Sequence, residues 1–136
     1  MSERIIFIAD FFANEVLGGG ELNNRELINL LEKSISPVAR INSIQVNERI
    51  LRTNKDHFFI VSNFVGLKDS CKEWLTHNAN YIIYEHDHKY LASRNPATYK
   101  EFKAPAKEIR NYSFYKNARK IICQSNYHKE IAYKNL

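Results

Sequence analysis

The chain is poor in the residues that staple small secreted domains. It has two cysteines, one tryptophan, one methionine, three prolines and four glycines in 136 residues. Two cysteines make no disulfide framework. Cys71, in a helical pattern, and Cys123, in a strand pattern, read as two free, buried thiols of a cytosolic protein. No apolar run approaches the roughly 18–20 residues that cross a bilayer. The opening stretch does not read as a secretory signal, since its apolar run is short and Asp10 and Glu15 put charge directly after it. Internal repeats and low-complexity stretches are missing too. What remains, 44% hydrophobic and 26% charged residues, is the composition of a single globular domain with enough apolar material for a core.

Charge is unevenly spread. From His86 to Leu136 there are eleven Lys/Arg against four Asp/Glu, and from Met1 to Glu85 nine against eleven. A basic second half suits nucleic acid, anionic headgroups, phosphorylated substrates or an acidic partner domain, and equally an ordinary solvated face. No RRM, KH or helix-turn-helix signature accompanies it, so nucleic acid is not expected. The expected location is the cytoplasm, with the membrane periphery as the alternative.

Three of the four glycines sit together, at Gly18-Gly19-Gly20. Before them Ile5-Ile6-Phe7-Ile8 forms a short apolar run that suits a strand buried on both faces. The stretch reads as strand, glycine loop and helix. Free amides and the positive dipole end at the helix start favour an anionic ligand there, and glycine permits a close backbone approach.

The rest alternates in the same way. A helix is expected from Gly20 to Lys33, with Leu27, Leu30 and Leu31 on its apolar side and an end between Ser34 and Pro37. A strand follows over Val38–Ile44 and a short helix over Val46–Arg52. His57–Ser62 is a strand and Leu67–His77 a helix with Leu67, Cys71, Trp74 and Leu75 on one side. Tyr81–Tyr84 is a buried strand, Lys89–Lys103 a long loop. A helix then runs from Pro105 to Asn117, carrying Ile109, Tyr112 and Tyr115. Lys120–Ser125 is the last strand, and Ser125 or Asn126 caps a final helix through Tyr133. This order predicts an α/β, Rossmann-like doubly wound fold: one mainly parallel sheet with helices on both faces. Such sheets bind ligands at the carboxyl ends of their strands. Asp10 with the glycine loop, Ser62-Asn63, Glu85 to His88 and Gln124-Ser125 are expected to collect along that edge.

Familiar motifs are missing from these segments. The glycines do not match G-x-G-x-x-G, and no Gly-Lys-Ser/Thr marks an NTPase. Neither Ser62 nor Ser125 sits in a nucleophile elbow. Glu85-His86-Asp87-His88 could hold a divalent metal, bind a substrate hydroxyl or phosphate through a histidine, or be ordinary loop polarity. If the strand continued, Glu85 and Asp87 would face one way and His86 and His88 the other.

In combination these segments are more specific. An I-x-F-I-A-D strand leads to Gly18-Gly19-Gly20-Glu21. Tyr84-Glu85-His86-Asp87-His88 comes next. Then come Asn111-x-x-Phe114-Tyr115, Ala118-x-x-Ile121-Ile122-Cys123-Gln124-Ser125 and His128-Lys129-Glu130. Together they resemble the N-terminal, acceptor-side domain of GT-B glycosyltransferases, particularly the large retaining family four. The resemblance implies transfer of a sugar from a nucleotide-sugar to a sugar or glycoconjugate acceptor in an interdomain cleft, with no metal or other cofactor. It implies His86 as the catalytic-cleft residue on the transferred sugar, with Gly18, Gly19, Gly20, Glu21, Asp10, Asn63, Asp87, His88 and Ser125 binding substrate. It also implies a C-terminal donor-binding domain, absent from these 136 residues. The chain is therefore expected to be a fragment, a truncated gene product or half of a split enzyme, catalytically incomplete alone. The alternative is a non-catalytic Rossmann-like binding module that docks an anionic partner on its basic face.

Overall fold

The computed structural model describes residues 4–34 and 37–136. Five parallel strands form one sheet: β1 (Ile5–Ala9), β2 (Val38–Asn42), β3 (Phe58–Val61), β4 (Asn80–Tyr84) and β5 (Ile121–Ile122), in the order β2-β1-β3-β4-β5. Among the described residues five α-helices complete it, with short 3-10 turns between: α1 (Gly19–Ser34), α2 (Glu48–Thr53), α3 (Asp69–Asn78), α4 (Tyr112–Asn117) and α5 (Asn126–Asn135). This is the expected α/β, Rossmann-like doubly wound fold. The chain winds outward from β1 to β2, then crosses back to β3, so the order reverses between β1 and β3, where such sheets open a crevice.

All five residues of β1 are buried, as a central strand requires. Register stacks alternate residues into two layers. Ile6, Phe59 and Tyr81 align, as do Ile8, Val61 and Ile83, and all six join the core under α2, α3, α4 and α5. Phe7 and Ile60 face the opposite layer, where Ile28 of α1 packs on them. Tyr81 anchors the larger layer by stacking on Phe114 at 5.0 Å between ring centroids and donating to the Phe114 carbonyl.

Several local expectations are corrected. On α1 the buried positions are Asn24 and Ile28. Leu27 and Leu31 are half-buried, and Leu30 is 61% exposed. A helix lying alone over its face buries only a narrow stripe, and Asn24 takes one place in it for a polar reason given below. The end expected between Ser34 and Pro37 falls partly on residues 35 and 36, outside the described residues.

The helix expected from Pro105 is broken. A single 3-10 turn spans Ala106–Glu108, and Ile109 then bridges antiparallel to Leu91. Ala92 N–H donates to the Glu108 carbonyl and Arg110 N–H to that of Tyr90. Those bonds draw the segment out as a ribbon, and α4 starts only after Asn111, at φ 57°. The last strand is two residues rather than six, so Cys123 lies past its end and is half-buried, whereas Cys71 is fully buried. Ser125 is the cap of α5, accepting from His128 N at 3.1 Å.

Candidate functional site

Strand ends do converge on the carboxyl edge, and the meeting point is the start of α1. A Cβ built on Gly20 would lie 3.1 Å from Asn63 Nδ2 and 3.7 Å from the His86 ring. The glycine therefore lets α1 begin against the loop after β3 and the loop after β4. Gly19 faces open space, with nothing within 4 Å of such a Cβ. At Gly18 the nearest atom is Glu21 Oε1, at 2.8 Å, because the Glu21 side chain folds back over the loop. None of the described glycines has a positive φ. The triplet thus gives room and approach, not a left-handed turn.

His86 sits inside a chain of hydrogen bonds. Asn23 Nδ2 donates to Gln124 Oε1 at 2.9 Å, and Gln124 Nε2 donates to His86 Nδ1 at 2.9 Å. The ring must then carry its proton on Nε2, which donates to Asn24 Oδ1 at 3.1 Å. Ser62 Oγ donates to the same Oδ1 at 2.8 Å. Burial and the nearby Lys89 hold the His86 pKa below its ordinary 6.5, against the opposing pull of Glu85 and Asp87. His86 is thus a neutral Nε2–H imidazole with both nitrogens engaged. Asn24 is the residue that sequence reasoning missed. It is fully buried, it joins α1, β3 and the β4 loop, and its Nδ2 has no hydrogen-bond partner among the described residues. The available signal was an amide four residues before Ile28, on the helix's inward stripe.

The other histidine does not share this site. The chain leaves β4 at Tyr84, and His88 takes φ 54°, so it does not point with His86 as a continued strand would have placed it. Its ring stacks on His128 of α5 at 4.0 Å, and its Nδ1 lies 2.5 Å from Tyr90 Oη. Burial and the His128 ring lower its pKa to about 4. Glu85 is buried in the same layer. Its Oε2 accepts from Tyr115 Oη and its Oε1 from Asp87 N. Burial and that carboxylate push the Tyr115 phenol well above its usual value.

Asp87 binds Lys89, and Arg94 at 3.3 Å, while Lys89 Nζ also reaches Asn63 Oδ1 at 3.1 Å. Asp10 lies apart from His86. Its carboxylate accepts from Val65 N at 2.9 Å, from Gly66 N at 2.8 Å and from Ser43 Oγ. It latches the loop after β3 to the turn after β2, across the point where strand order reverses. Gly66 is where backbone closeness is required: a Cβ there would meet Ser43 Oγ at 2.9 Å and Asp10 Oδ1 at 3.3 Å. Ser125 is exposed and its oxygen serves α5.

The site around Gly19, Gly20, Asn63 and His86 is thus an open polar edge at the start of a 16-residue helix. Its groups can donate and accept hydrogen bonds, and the helix dipole favours an anion. Among the described residues, no group of three or more His, Cys, Asp or Glu gathers as a metal site, and no helix is long and apolar enough to cross a membrane. No protein-family model matches the chain, no curated protein matches it, and no solved structure matches it.

Proposed function

We propose that this chain is the acceptor-side domain of a glycosyltransferase, transferring a sugar from a nucleotide-sugar to a sugar or glycoconjugate acceptor. The observation that supports the reading is the meeting of Gly20, Asn63 and His86, with Gly19 open beside them. A sugar hydroxyl at that point competes with Asn24 for the Nε2 proton of neutral His86. An anionic group on the donor meets the open backbone of Gly19 at the head of α1. A donor-binding domain, carried elsewhere or on another chain, closes the cleft. Without it the 136 residues bind weakly and do not turn over. No metal ion takes part in this reading.

The test is a titration of the backbone amide spectrum with nucleotide-sugars and simple sugars. Shifts centred on Gly18–Glu21 and His86 are expected, and both His86→Ala and Gly19→Leu remove them while the spectrum stays dispersed. Gly19→Leu is informative because a Cβ there has nothing within 4 Å and so enters open space. Shifts that survive both substitutions, or a silent spectrum with every nucleotide-sugar, overturn the reading. Shifts confined to the basic face around Lys103, Lys107 and Arg110 would favour a docking module instead.

A further inference from the structure

The loops after β3 and β4 enclose a second feature, on the side of Phe64 away from α1. A cavity of about 320 Å3 is lined by Phe64, Lys72, Lys89, Arg94, Arg110 and Asn111, with Asp69 at its mouth. Four cations and one carboxylate share this lining. Two of the cations are withdrawn from water: the side chain of Lys72 is 17% exposed and that of Lys89 4%. Both ammonium groups lie over the Phe64 ring, at 5.5 Å and 5.3 Å from its centroid. Lysine is rarely buried unless paired. Lys89 has Asp87 and Asn63. Among the described residues the Lys72 ammonium reaches the Asn111 amide oxygen at 3.1 Å and the fully exposed carboxylate of Asp69 at 3.4 Å, a pairing that solvent screens.

The fold nonetheless holds Lys72 in place. Asn111 accepts from Lys72 while its own Nδ2 donates to the Lys89 carbonyl at 3.0 Å, tying α3 to the β4 loop across the cavity. Asn111 does this from a left-handed φ of 57°, a conformation that asparagine tolerates better than most residues. Arg94 and Arg110 are exposed in the lining, with Arg94 Nη1 on Asp87 Oδ2 at 3.3 Å and Arg110 Nη1 donating to the Lys107 carbonyl at 2.7 Å. Lys72, Arg94 and Arg110 surround a cavity larger than a phosphate, with Asp69 and the Asp87 partner of Arg94 as the nearby carboxylates, and their donors define a place for a dianion.

We propose that this cavity is a binding site for a phosphate monoester, separate from the His86 edge and independent of the sugar-transfer reading. The dianion sits between Lys72 and the two arginines, over the edge of Phe64. Lys89, already held by Asp87, adds field rather than a direct bond. The phosphate can belong to a small soluble ester or to a lipid headgroup.

Inorganic phosphate and glycerol phosphate are titrated into the chain at 0.15 M salt, read by backbone amide shifts, with acetate as the monoanion comparison. Shifts at Val65, Asp69, Arg110 and Asn111 are expected, with phosphate favoured over acetate. Lys72→Gln and Arg110→Gln each weaken binding at least tenfold, while Lys134→Gln, distant from the cavity, leaves it unchanged. Arg110→Gln guards against a folding defect at the less exposed Lys72. Sedimentation with phosphatidic acid vesicles, against phosphatidylcholine, reads the lipid source: capture lost in the same two variants assigns the headgroup, and soluble binding without capture assigns the free ester. Binding that all three variants weaken equally, acetate shifts equal to phosphate shifts, or no shift with either phosphate overturns the site.

Discussion

His86 and His88 stand two residues apart beyond the end of β4 and serve opposite layers of the molecule. His86 turns toward α1 and is held between Asn24 and Gln124, half-exposed at an open edge. His88 turns toward α5, stacks on His128 and approaches Tyr90. Burial is the main reason that both stay neutral, joined by Lys89 at His86 and by the His128 ring at His88, which is lowered to about 4. Only His86 also has both ring nitrogens held in a hydrogen-bond chain. The first arrangement leaves a ring whose partners a ligand can displace. The second ties a ring to α5 through a stacked imidazole and to Tyr90. Two similar side chains thus divide into a functional candidate and a structural element through one left-handed residue.

That division can be broken most strongly at His88. A β-branched residue resists φ 54° far more than asparagine does. His88→Val is therefore expected to cost about 1–3 kcal/mol more than His88→Asn, read as the gap between their urea unfolding free energies. Equal values would show that the backbone there does not demand the left-handed conformation. Next is Asn24→Ala, which strands the Ser62 hydroxyl and the His86 Nε2 proton and should cost about 1–3 kcal/mol. In that variant Gln124 still donates to Nδ1, so the imidazole nitrogen shifts should keep the Nε2–H signature while the Nε2 proton loses its partner.

The pH dependence reads His86, His88 and His128 together, since all three are lowered in the folded chain, with His88 lowered to about 4. An unfolded histidine titrates near 6.5, and folded His88 near 4. The unfolded chain takes up the proton first, so stability from this group is complete above about 6.5 and is lost as the pH falls toward 4. Thermal midpoints should drop over that window. His128→Phe, which keeps a stacked ring but removes a second depressed titration, should flatten the drop. The smallest effect is expected at His86→Ala, no more than about 1 kcal/mol, because Ser62 still satisfies Asn24 Oδ1 and the ring is half-exposed. A large loss there would make His86 as structural as His88 and erase the contrast.

How much of this was readable beforehand differs by element. The buried run Ile5 to Ile8, the strand expected over Tyr81–Tyr84 and the Cys71-Leu75 stripe carry their period in adjacent residues and form within a residue or two of where the pattern puts them, Leu67 lying in the bend just before α3. The segment from Pro105 carries a helical pattern too, but Leu91 and Tyr90 compete for its backbone, and a partner some twenty residues upstream cannot be seen from a local window. Of the expected site residues, Gly20, Asn63 and His86 come together. Asp10, His88 and Ser125 are engaged instead by Gly66, His128 and the α5 amides. Polar residues at strand ends look alike in one dimension, whether they face a ligand or cap a loop.

By itself the amino-acid order determined an alternating α/β chain, a doubly wound parallel sheet and a glycine-rich first turn, because period, propensity and turn chemistry act over a few residues. Tertiary structure alone decided that Gln124 fixes the His86 tautomer and Asn24 accepts its proton, that Asp10 latches the β3 loop, and that Lys72 and Lys89 share one aromatic ring. Each of those depends on distances between residues far apart in the chain, set by which strands pair and on which face each crossover packs.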